Sequence, residues 1–263
     1  MYKLTNEEIQ QVKKYIEDNL TEAEKYSVDV NKLSSDKYYL VANDLTPIEV
    51  LEYILFKNIK CLIQNSIQQV FSKINILRTI EKNKSLFFDS AISFVEGDIM
   101  IQKFTSHDDR SMILENFFLF NNLDLETVKN QNLYQVTQEL VMNAQIDAPK
   151  YAATESDKVS SVIIEKNESH NLVAISVIDE YGSLNINKML DKIYKAHQQG
   201  FRESMTEIGH GAGLGSAMLY NFVDSLFIGC IPGQKTRVTA IMPLGLSEKK
   251  IEQIQKSICI IEV

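Results

Sequence analysis

Gly209-His210-Gly211-Ala212-Gly213-Leu214-Gly215-Ser216-Ala217-Met218-Leu219-Tyr220 is the stretch on which the fold turns. Four glycines within seven residues run straight into a helical pattern. Glycine lets backbone come close to a ligand, and consecutive N–H groups at a helix start favour an anion. Elsewhere the chain avoids glycine: nine of its ten fall between Gly182 and Gly245, and only Gly97 precedes them. A loop built for flexibility would mix in Ser, Asn and Pro. Two phosphate-loop readings fail. A dinucleotide fingerprint needs an opening βαβ unit and an acidic residue about 20 positions on, but the cluster lies late in the chain and position 235 is Lys. Gly229-Cys-Ile-Pro-Gly233-Gln-Lys-Thr236 misses the second glycine of a P-loop by one place.

Outward from the cluster, Val159–Ile164 and Leu172–Asp179 alternate like paired strands, and a polar helix runs from about Asn187 to Gln198. A helix to Val223 follows, then strands at Ser225–Cys230 and Thr236–Met242. Ahead of them lie a helix at Met112–Phe120 and a longer one ending near Ala148. This order predicts an α/β layer, one sheet covered by helices on one face. Residues 1–90 read as mainly helical. Asn6-Glu-Glu-Ile opens an amphipathic run to Leu20, and Thr46-Pro47-Ile48-Glu49 has the parts of a capping box. An apolar stripe from Ile59 through Leu62, Ile63, Ile67, Val70 and Phe71 to Ile74 extends the helical reading. Alternation at Ile92, Phe94, Ile99, Ile101 and Phe104 predicts two strands and a boundary. The expected division is a helical region over 1–95, an α/β domain over 96–247 and a helix/strand tail over 248–263. The first region would serve as a sensor, a docking part or a dimer seam.

With 263 residues, 44% hydrophobic and 24% charged, the chain is long enough to bury a core without staples. A net charge of −8 argues against non-specific grip on nucleic acid or anionic lipid, while leaving room for a small basic pocket. Cys61, Cys230 and Cys259 have no paired spacing, so neither a disulfide framework nor a zinc site is expected. No apolar run approaches the roughly 18–20 residues of a membrane span, and Met1–Gln10 is polar. A cytoplasmic protein is the expectation.

Chemistry is expected at three places. Before Pro149, the residues Gln135, Glu139, Asn143 and Asp147 recur every fourth position beside the apolar stripe Leu133, Val136, Leu140, Val141 and Ala144. Residues i and i+4 are neighbours on a helix, so Glu139 and Asn143 present a carboxylate and an amide to one point. Such a pair suits Mg²⁺, with the amide oxygen as direct ligand and the carboxylate holding a water; the alternative is a solvated helix face. Asp179-Glu180-Tyr181-Gly182 places a carboxylate at a strand end, able to accept from an exocyclic amine, or simply marks a turn. The glycine cluster is the third place.

Taken in order, Glu139-Leu-Val-Met-Asn143-Ala, Asp179-Glu-Tyr-Gly182, Gly211-Ala-Gly-Leu-Gly215 and Gly233-Gln-Lys-Thr236-Arg-Val-Thr-Ala-Ile-Met-Pro243 resemble the boxes of the GHKL ATPases. These are the gyrase, heat-shock-chaperone, histidine-kinase and MutL nucleotide domains. The resemblance covers about residues 100–247. It implies the Bergerat fold, a two-layer α/β sandwich with a mixed sheet, binding ATP and Mg²⁺ under a mobile lid. By position, Glu139 resembles the group that polarises the attacking nucleophile, and Asn143 the Mg²⁺ ligand. Asp179 resembles the adenine-amine acceptor, supported by Gly182. Gly211, Gly213, Leu214 and Gly215 would line the phosphates, and Thr236 would complete the adenine and Mg²⁺-side contacts.

Residues 183–208 would form the lid, with Lys188, Lys192, Lys195 and Arg202 as phosphate-facing cations or as a solvated face. The family places Gly two residues after the Asp, whereas Tyr181 stands there; either the turn carries an extra residue or Glu180 is the acceptor. Asp147 occupies the γ-phosphate-side position where kinases of this group carry a basic residue. His210 would donate to phosphate or face solvent. No His lies on the N-terminal helices, and His107-Asp-Asp-Arg reads as a helix start capped by Ser106. The chain therefore looks most like the stand-alone anti-sigma-factor serine kinases. That likeness implies a regulatory protein partner (a sigma factor or its antagonist), no direct nucleic-acid or membrane contact, and room for a homodimer. The alternative is an ATP-gated protein-binding module without kinase turnover.

Overall fold

The computed structural model describes residues 4–19, 26–27, 39–42, 44–64, 67–120, 123, 128–152, 157–199, 214–244, 250 and 254–262. Nine strands form one mixed sheet: β1 (Tyr26–Ser27), β2 (Tyr39–Val41), β3 (Cys61–Ile63), β4 (Asp98–Phe104), β5 (Ser160–Asn167), β6 (Leu172–Asp179), β7 (Ser225–Ile231), β8 (Lys235–Pro243) and β9 (Ser257–Ile261). Their order is β1-β2-β3-β9-β7-β8-β6-β5-β4. From β7 to β4 every neighbouring pair is antiparallel, whereas β1–β3 run parallel to one another and β9 runs parallel to β7. The predicted strands at Val159–Ile164, Leu172–Asp179, Ser225–Cys230 and Thr236–Met242 are β5–β8.

The helices are α1 (Asn6–Asn19), α2 (Pro47–Phe56), α3 (Ile67–Lys82), α4 (Arg110–Phe120), α5 (Val128–Met142), α6 (Ala148–Ala152), α7 (Ile186–Gln199) and α8 (Leu214–Phe222). The Thr46–Glu49 capping box forms with both reciprocal hydrogen bonds. Helix α4 starts differently from expectation. Asp109, not Ser106, accepts from the first-turn N–H groups of Ser111 and Met112, and Ser106 donates instead to Asp157. An acceptor immediately before the helix outcompetes a hydroxyl three residues further out.

Helices cover both sheet faces, not one. On the first face α2, α4, α5, α7 and α8 bury Val50, Leu114, Leu140, Leu190 and Leu219 against strand residues such as Ile175 and Ile228. On the second face α1 and α3 bury Val12, Val70 and Ile74 against Ile63, Phe227 and Ile261, with Phe87 and Phe94 filling the gap. The apolar stripe from Ile59 to Ile74 is accordingly divided. Leu62 and Ile63 belong to β3, and α3 begins only at Ile67. A three-residue apolar run satisfies a strand and a helix pattern equally, and pairing with β2 and β9 decides it.

Only one strand occurs between Leu86 and Phe104. Lys84–Phe88 is a 3₁₀ turn, and the backbone of Phe94, Val95 and Gly97 is held by the buried Glu165 carboxylate of β5 rather than by a neighbouring strand. Ser93 donates to the same carboxylate. Arg237, 1% exposed, donates from the sheet to the carbonyls of Phe87 and Asp89 and to Ser176 and Thr239. Its guanidinium also lies 4.8 Å from the Phe94 ring centre. Two buried charges thus staple residues 84–97 to the second face.

The cysteine expectation is corrected. Cys61 and Cys259 face each other across β3 and β9 and are joined by a disulfide, because sheet register and not sequence spacing brings them together. Cys230 is free. Among the described residues, no helix is long and apolar enough to cross a membrane.

Candidate functional site

A cavity of about 340 Å³ opens on the first face between α5, α6, α7 and the ends of β6 and β8. Asn143, Asp147, Asp179, Lys188, Lys192 and Thr236 are among the charged, amide and hydroxyl groups that line it. Leu140, Ala144, Val177, Leu184, Met189 and Val238 supply apolar walls. A few convergent polar groups in an apolar cleft are the usual make-up of a small-molecule site.

Helix α5 brings the first group. Its buried side carries Leu133, Val136, Leu140, Val141 and Ala144, as the stripe requires. The helix does not stop before Pro149. Residues Asn143–Asp147 form a π turn, closed by the Ala148 N–H bonding to the Asn143 carbonyl, and α6 continues to Ala152. In a straight α-helix, Pro149 would lack an N–H for the Gln145 carbonyl and its ring would strike that carbonyl; the wider turn relieves both. Gln145 uses its amide to hold the carbonyls of Thr105 and Asp108, anchoring the turn to the β4–α4 loop. Asn143 and Asp147, at the two ends of the π turn, both reach the cavity.

Glu139 stands behind Asn143. Its Oε1 accepts from Asn143 Nδ2 at 3.3 Å, which leaves the Asn143 amide oxygen available to the cavity. Gly215, in the first turn of α8, closes the other side: a Cβ there would fall inside the Glu139 carboxylate. Glu139 is half-buried, and it is not among the residues lining the cavity. Burial pushes its carboxyl above the usual carboxylate range. Asp147 adds to that rise, and the Asn143 hydrogen bond and the Lys192 charge oppose it.

Strand β6 ends in Asp179, directly opposite Thr236 of β8. Asp179 Oδ1 accepts from the N–H groups of Tyr181 and Gly182 at 2.9 and 3.1 Å. This turn accommodates the extra residue at Tyr181, whose ring is buried and whose hydroxyl accepts from the Lys158 N–H. Glu180 is turned elsewhere: it pairs with Lys235 at 3.1 Å and does not line the cavity. Gly182 has φ +58°, and a Cβ on it would collide with the Ile231 carbonyl. Its role here is to pass close to the β7–β8 hairpin, where its carbonyl accepts from the Gly233 N–H. Burial raises the Asp179 carboxyl above its ordinary value, partly offset by its two backbone donors and Thr236.

Beyond the turn, Ser183 Oγ donates to the Ala148 carbonyl and ties the segment to α6. Asn185 caps α7 by accepting from the Lys188 N–H. Of the four cations considered, Lys188 and Lys192 line the cavity, and Lys195 instead pairs with Asp191 on the exposed side of α7. Arg202, His210, Gly211 and Gly213 lie outside the described residues, as does the side chain of Leu214. Four polar lining residues were not singled out from the sequence: Tyr151 and Ser216, and, within the stretch expected as the lid, Ser183 and Asn185. Asn185 was legible as a helix cap; Ser183 and Ser216 carry no local signal of a site.

The site fits a nucleotide with a divalent cation in its donor chemistry. Apolar walls beside Asp179 and Thr236 suit a base bearing an amine. Two lysines and an amide oxygen suit phosphates with Mg²⁺. Among the described residues no cluster of three His, Cys, Asp or Glu side chains forms a metal cage. A scan of protein-family models finds none that matches the chain, and a search of curated proteins finds no significant match.

Proposed function

We propose that the protein binds Mg–ATP in this cavity as a regulatory member of the histidine-kinase-like (GHKL) ATPases, on a Bergerat-type arrangement of β4–β8 with α4, α5, α7 and α8. The observation that carries the proposal is convergence: Asn143, Asp179 and Thr236, chosen from three separate stretches of sequence, line one cavity, with Glu139 hydrogen-bonded behind Asn143. The cover on the second face is additional to the two-layer arrangement that the resemblance implies.

The activity proposed is that of a protein serine/threonine kinase of anti-sigma-factor type, acting on a cytoplasmic regulatory partner. When bound, Mg–ATP would supply the phosphoryl group and the cation that neutralises its charge. Asp179 accepts from the amine of the base, Asn143 offers its amide oxygen to the cation, and Lys188 and Lys192 hold phosphate oxygens. Glu139 takes the proton from the incoming Ser or Thr hydroxyl. A carboxylate raised by burial is the stronger base for that step. One feature favours the second reading, an ATP-gated binding module without turnover: Glu139 is hydrogen-bonded to Asn143, abuts Gly215 and does not line the cavity where the phosphates would lie.

Calorimetric titration of Mg–ATP tests the site. The wild type is expected to bind at micromolar level, and Asp179→Asn and Asn143→Ala each to weaken binding, the former by about 2 kcal/mol. A wild type that binds no nucleotide, with or without Mg²⁺, overturns the reading. Glu139→Ala then separates the two activities: a kinase loses phosphoryl transfer to the partner, and a binding module keeps its function.

A further inference from the structure

Four residues of α-helix wind through more than a full turn, so side chains at i and i+4 stand about 40° apart around the axis. On a straight α5, Glu139, Asn143 and Asp147 would fan out by about 80° in all. The π turn at Asn143–Asp147 winds more widely, so four of its residues return closer to the starting direction. Asp147 is thereby brought back towards the row of Asn143, and both line the cavity. Turns of this kind recur at functional sites. We propose that the Asp147 carboxylate and the Asn143 amide oxygen together hold the divalent cation, so that nucleotide binds here only with its cation. The proposal rests on the nucleotide reading above and adds a second protein ligand to it.

The surroundings of Asp147 leave it available. Glu139 is bonded to Asn143 and lies within electrostatic reach of both Asp147 and Lys192, so these four side chains gather on the helix side of the cavity. Asp179 and Thr236 sit together on the sheet side. Asp147 is half-buried, and its carboxylate makes no hydrogen bond or ion pair among the described residues. Lys188 and Lys192 line the same cavity without pairing with it. The backbone that carries Asp147 is braced on both sides. Gln145 holds the Thr105 and Asp108 carbonyls, and Ser183 donates to the Ala148 carbonyl at 2.9 Å. A free carboxylate on a braced turn is an oxygen donor already in place, and little ordering is left to oppose binding.

Ligand chemistry points the same way. Mg²⁺ beside phosphates is held by one or two carboxylates, the phosphate oxygens and water. Asn143 brings a neutral amide, and Glu139 does not line the cavity. Among the described residues two acidic side chains do, Asp147 and Asp179. Asp179 is engaged by the Tyr181 and Gly182 N–H groups, which leaves Asp147 for the cation. The resemblance puts a basic group at this position, one that would meet phosphate directly. A carboxylate reverses the sign: it repels phosphate until a cation lies between them. Lys188 and Lys192 then take phosphate oxygens, and Asp147 takes the cation.

Calorimetric titration of ATP into the full chain, once in Mg²⁺ and once in EDTA, reads the cation's share of binding. The wild type should bind far more tightly in Mg²⁺, and Asp147→Asn should shrink that advantage by about tenfold. Asp147→Lys should bind ATP in EDTA at least about tenfold more tightly than the wild type, because repulsion becomes attraction. Damage to the fold cannot mimic a gain in affinity. Ligation is read directly with Mn²⁺ and an ATP analogue carrying an imido bridge between its last two phosphates. Protein labelled with ¹³C at its aspartate carboxyls should show a ¹³C coupling in the electron–nuclear double resonance spectrum of the Mn²⁺, and Asp147→Asn should lose it. No gain in EDTA for Asp147→Lys, or no ¹³C coupling in the wild type, overturns the proposal and leaves the nucleotide site standing. A wild type that binds no ATP under either condition overturns the nucleotide reading, and this proposal with it.

Discussion

On the second face of the sheet, Arg237 donates to two carbonyls and two hydroxyls, and Glu165 accepts from a hydroxyl and three backbone N–H groups. On the first face, Asp179 and Glu139 are held in place by few donors and pushed by burial towards their protonated forms. Both faces bury charge, but they do so to different ends. Where four of the five Arg237 N–H groups and both Glu165 oxygens find partners, the charge acts as a fastener for residues 84–97. Where matching is partial and a cavity adjoins, capacity is left for something that is not protein. Degree of satisfaction, more than burial, separates structural from functional charge here.

The largest effect that would sharpen this contrast is on stability. Glu165→Ala leaves the Ser93, Phe94, Val95 and Gly97 donors without their acceptor, and is expected to cost about 3–5 kcal/mol in urea unfolding. Asp179→Asn, which keeps an oxygen for Tyr181 and Gly182, should cost far less stability while weakening nucleotide binding. Similar losses from the two would erase the distinction between the faces.

A second effect belongs to the first face alone. His197 of α7 packs edge-on to Tyr220, and its Nε2 is buried without a partner among the described residues. Burial, helped by the Lys256 charge, lowers its pKa from 6.5 to about 4. The folded state therefore binds this proton less readily than the unfolded chain does. The stability it contributes is complete above pH 6.5 and is lost as pH falls towards about 4. Urea midpoints across that interval should show a decline of about 2 kcal/mol after allowance for partial solvent screening. His197→Phe should flatten the profile, and an unchanged slope in that variant would assign the acid sensitivity elsewhere.

The smallest change tests how Glu139 is held. At Gly215→Ala the new Cβ displaces a flexible carboxylate rather than backbone, so stability should fall by only about 1 kcal/mol. Phosphoryl transfer should drop at least about tenfold with Mg–ATP binding retained, because the base is moved and the cavity is not. Equal loss of binding and transfer would place Gly215 on the phosphate path instead.

Much of this arrangement was legible in the sequence, and the illegible parts share a cause. Helix caps, the β5–β8 alternation and the Glu139–Asn143 spacing are local patterns, and each reports on residues a few positions apart. The pairing of Cys61 with Cys259, and of β3 with β9, leaves no local mark because the partners are 198 residues apart. Ile92 and Phe94 read as strand because apolar residues alternate there, yet the chain bends at 94–97 and a Glu165 side chain, not a ladder, satisfies the Phe94 and Val95 N–H groups. The π turn followed from Pro149, whose effect was read as a stop when the chain had a wider turn available. At the cavity, Lys188 and Lys192 were named together with Lys195 and Arg202 as phosphate-facing cations or a solvated face, and no local pattern separated the four. Which lysines turn inward depends on the rotation of α7 about its buried residues Met189, Leu190, Ile193 and Ala196.

The position of β9 bears on how the protein is made. Residues 257–261 lie between β3 and β7, parallel to one and antiparallel to the other, and link the first three strands to the rest of the sheet. During synthesis the ribosome delivers β1–β3 first and their anchoring neighbour only after β8. For most of translation the N-terminal strands lack the strand that ties them to the rest of the sheet, and α1 and α3 are the cover available to Val41, Cys61 and Ile63. A stalled or shortened product ending before residue 257 would leave β3 and β7, both paired with β9 in the finished chain, as open edges, and would be a natural client for chaperones.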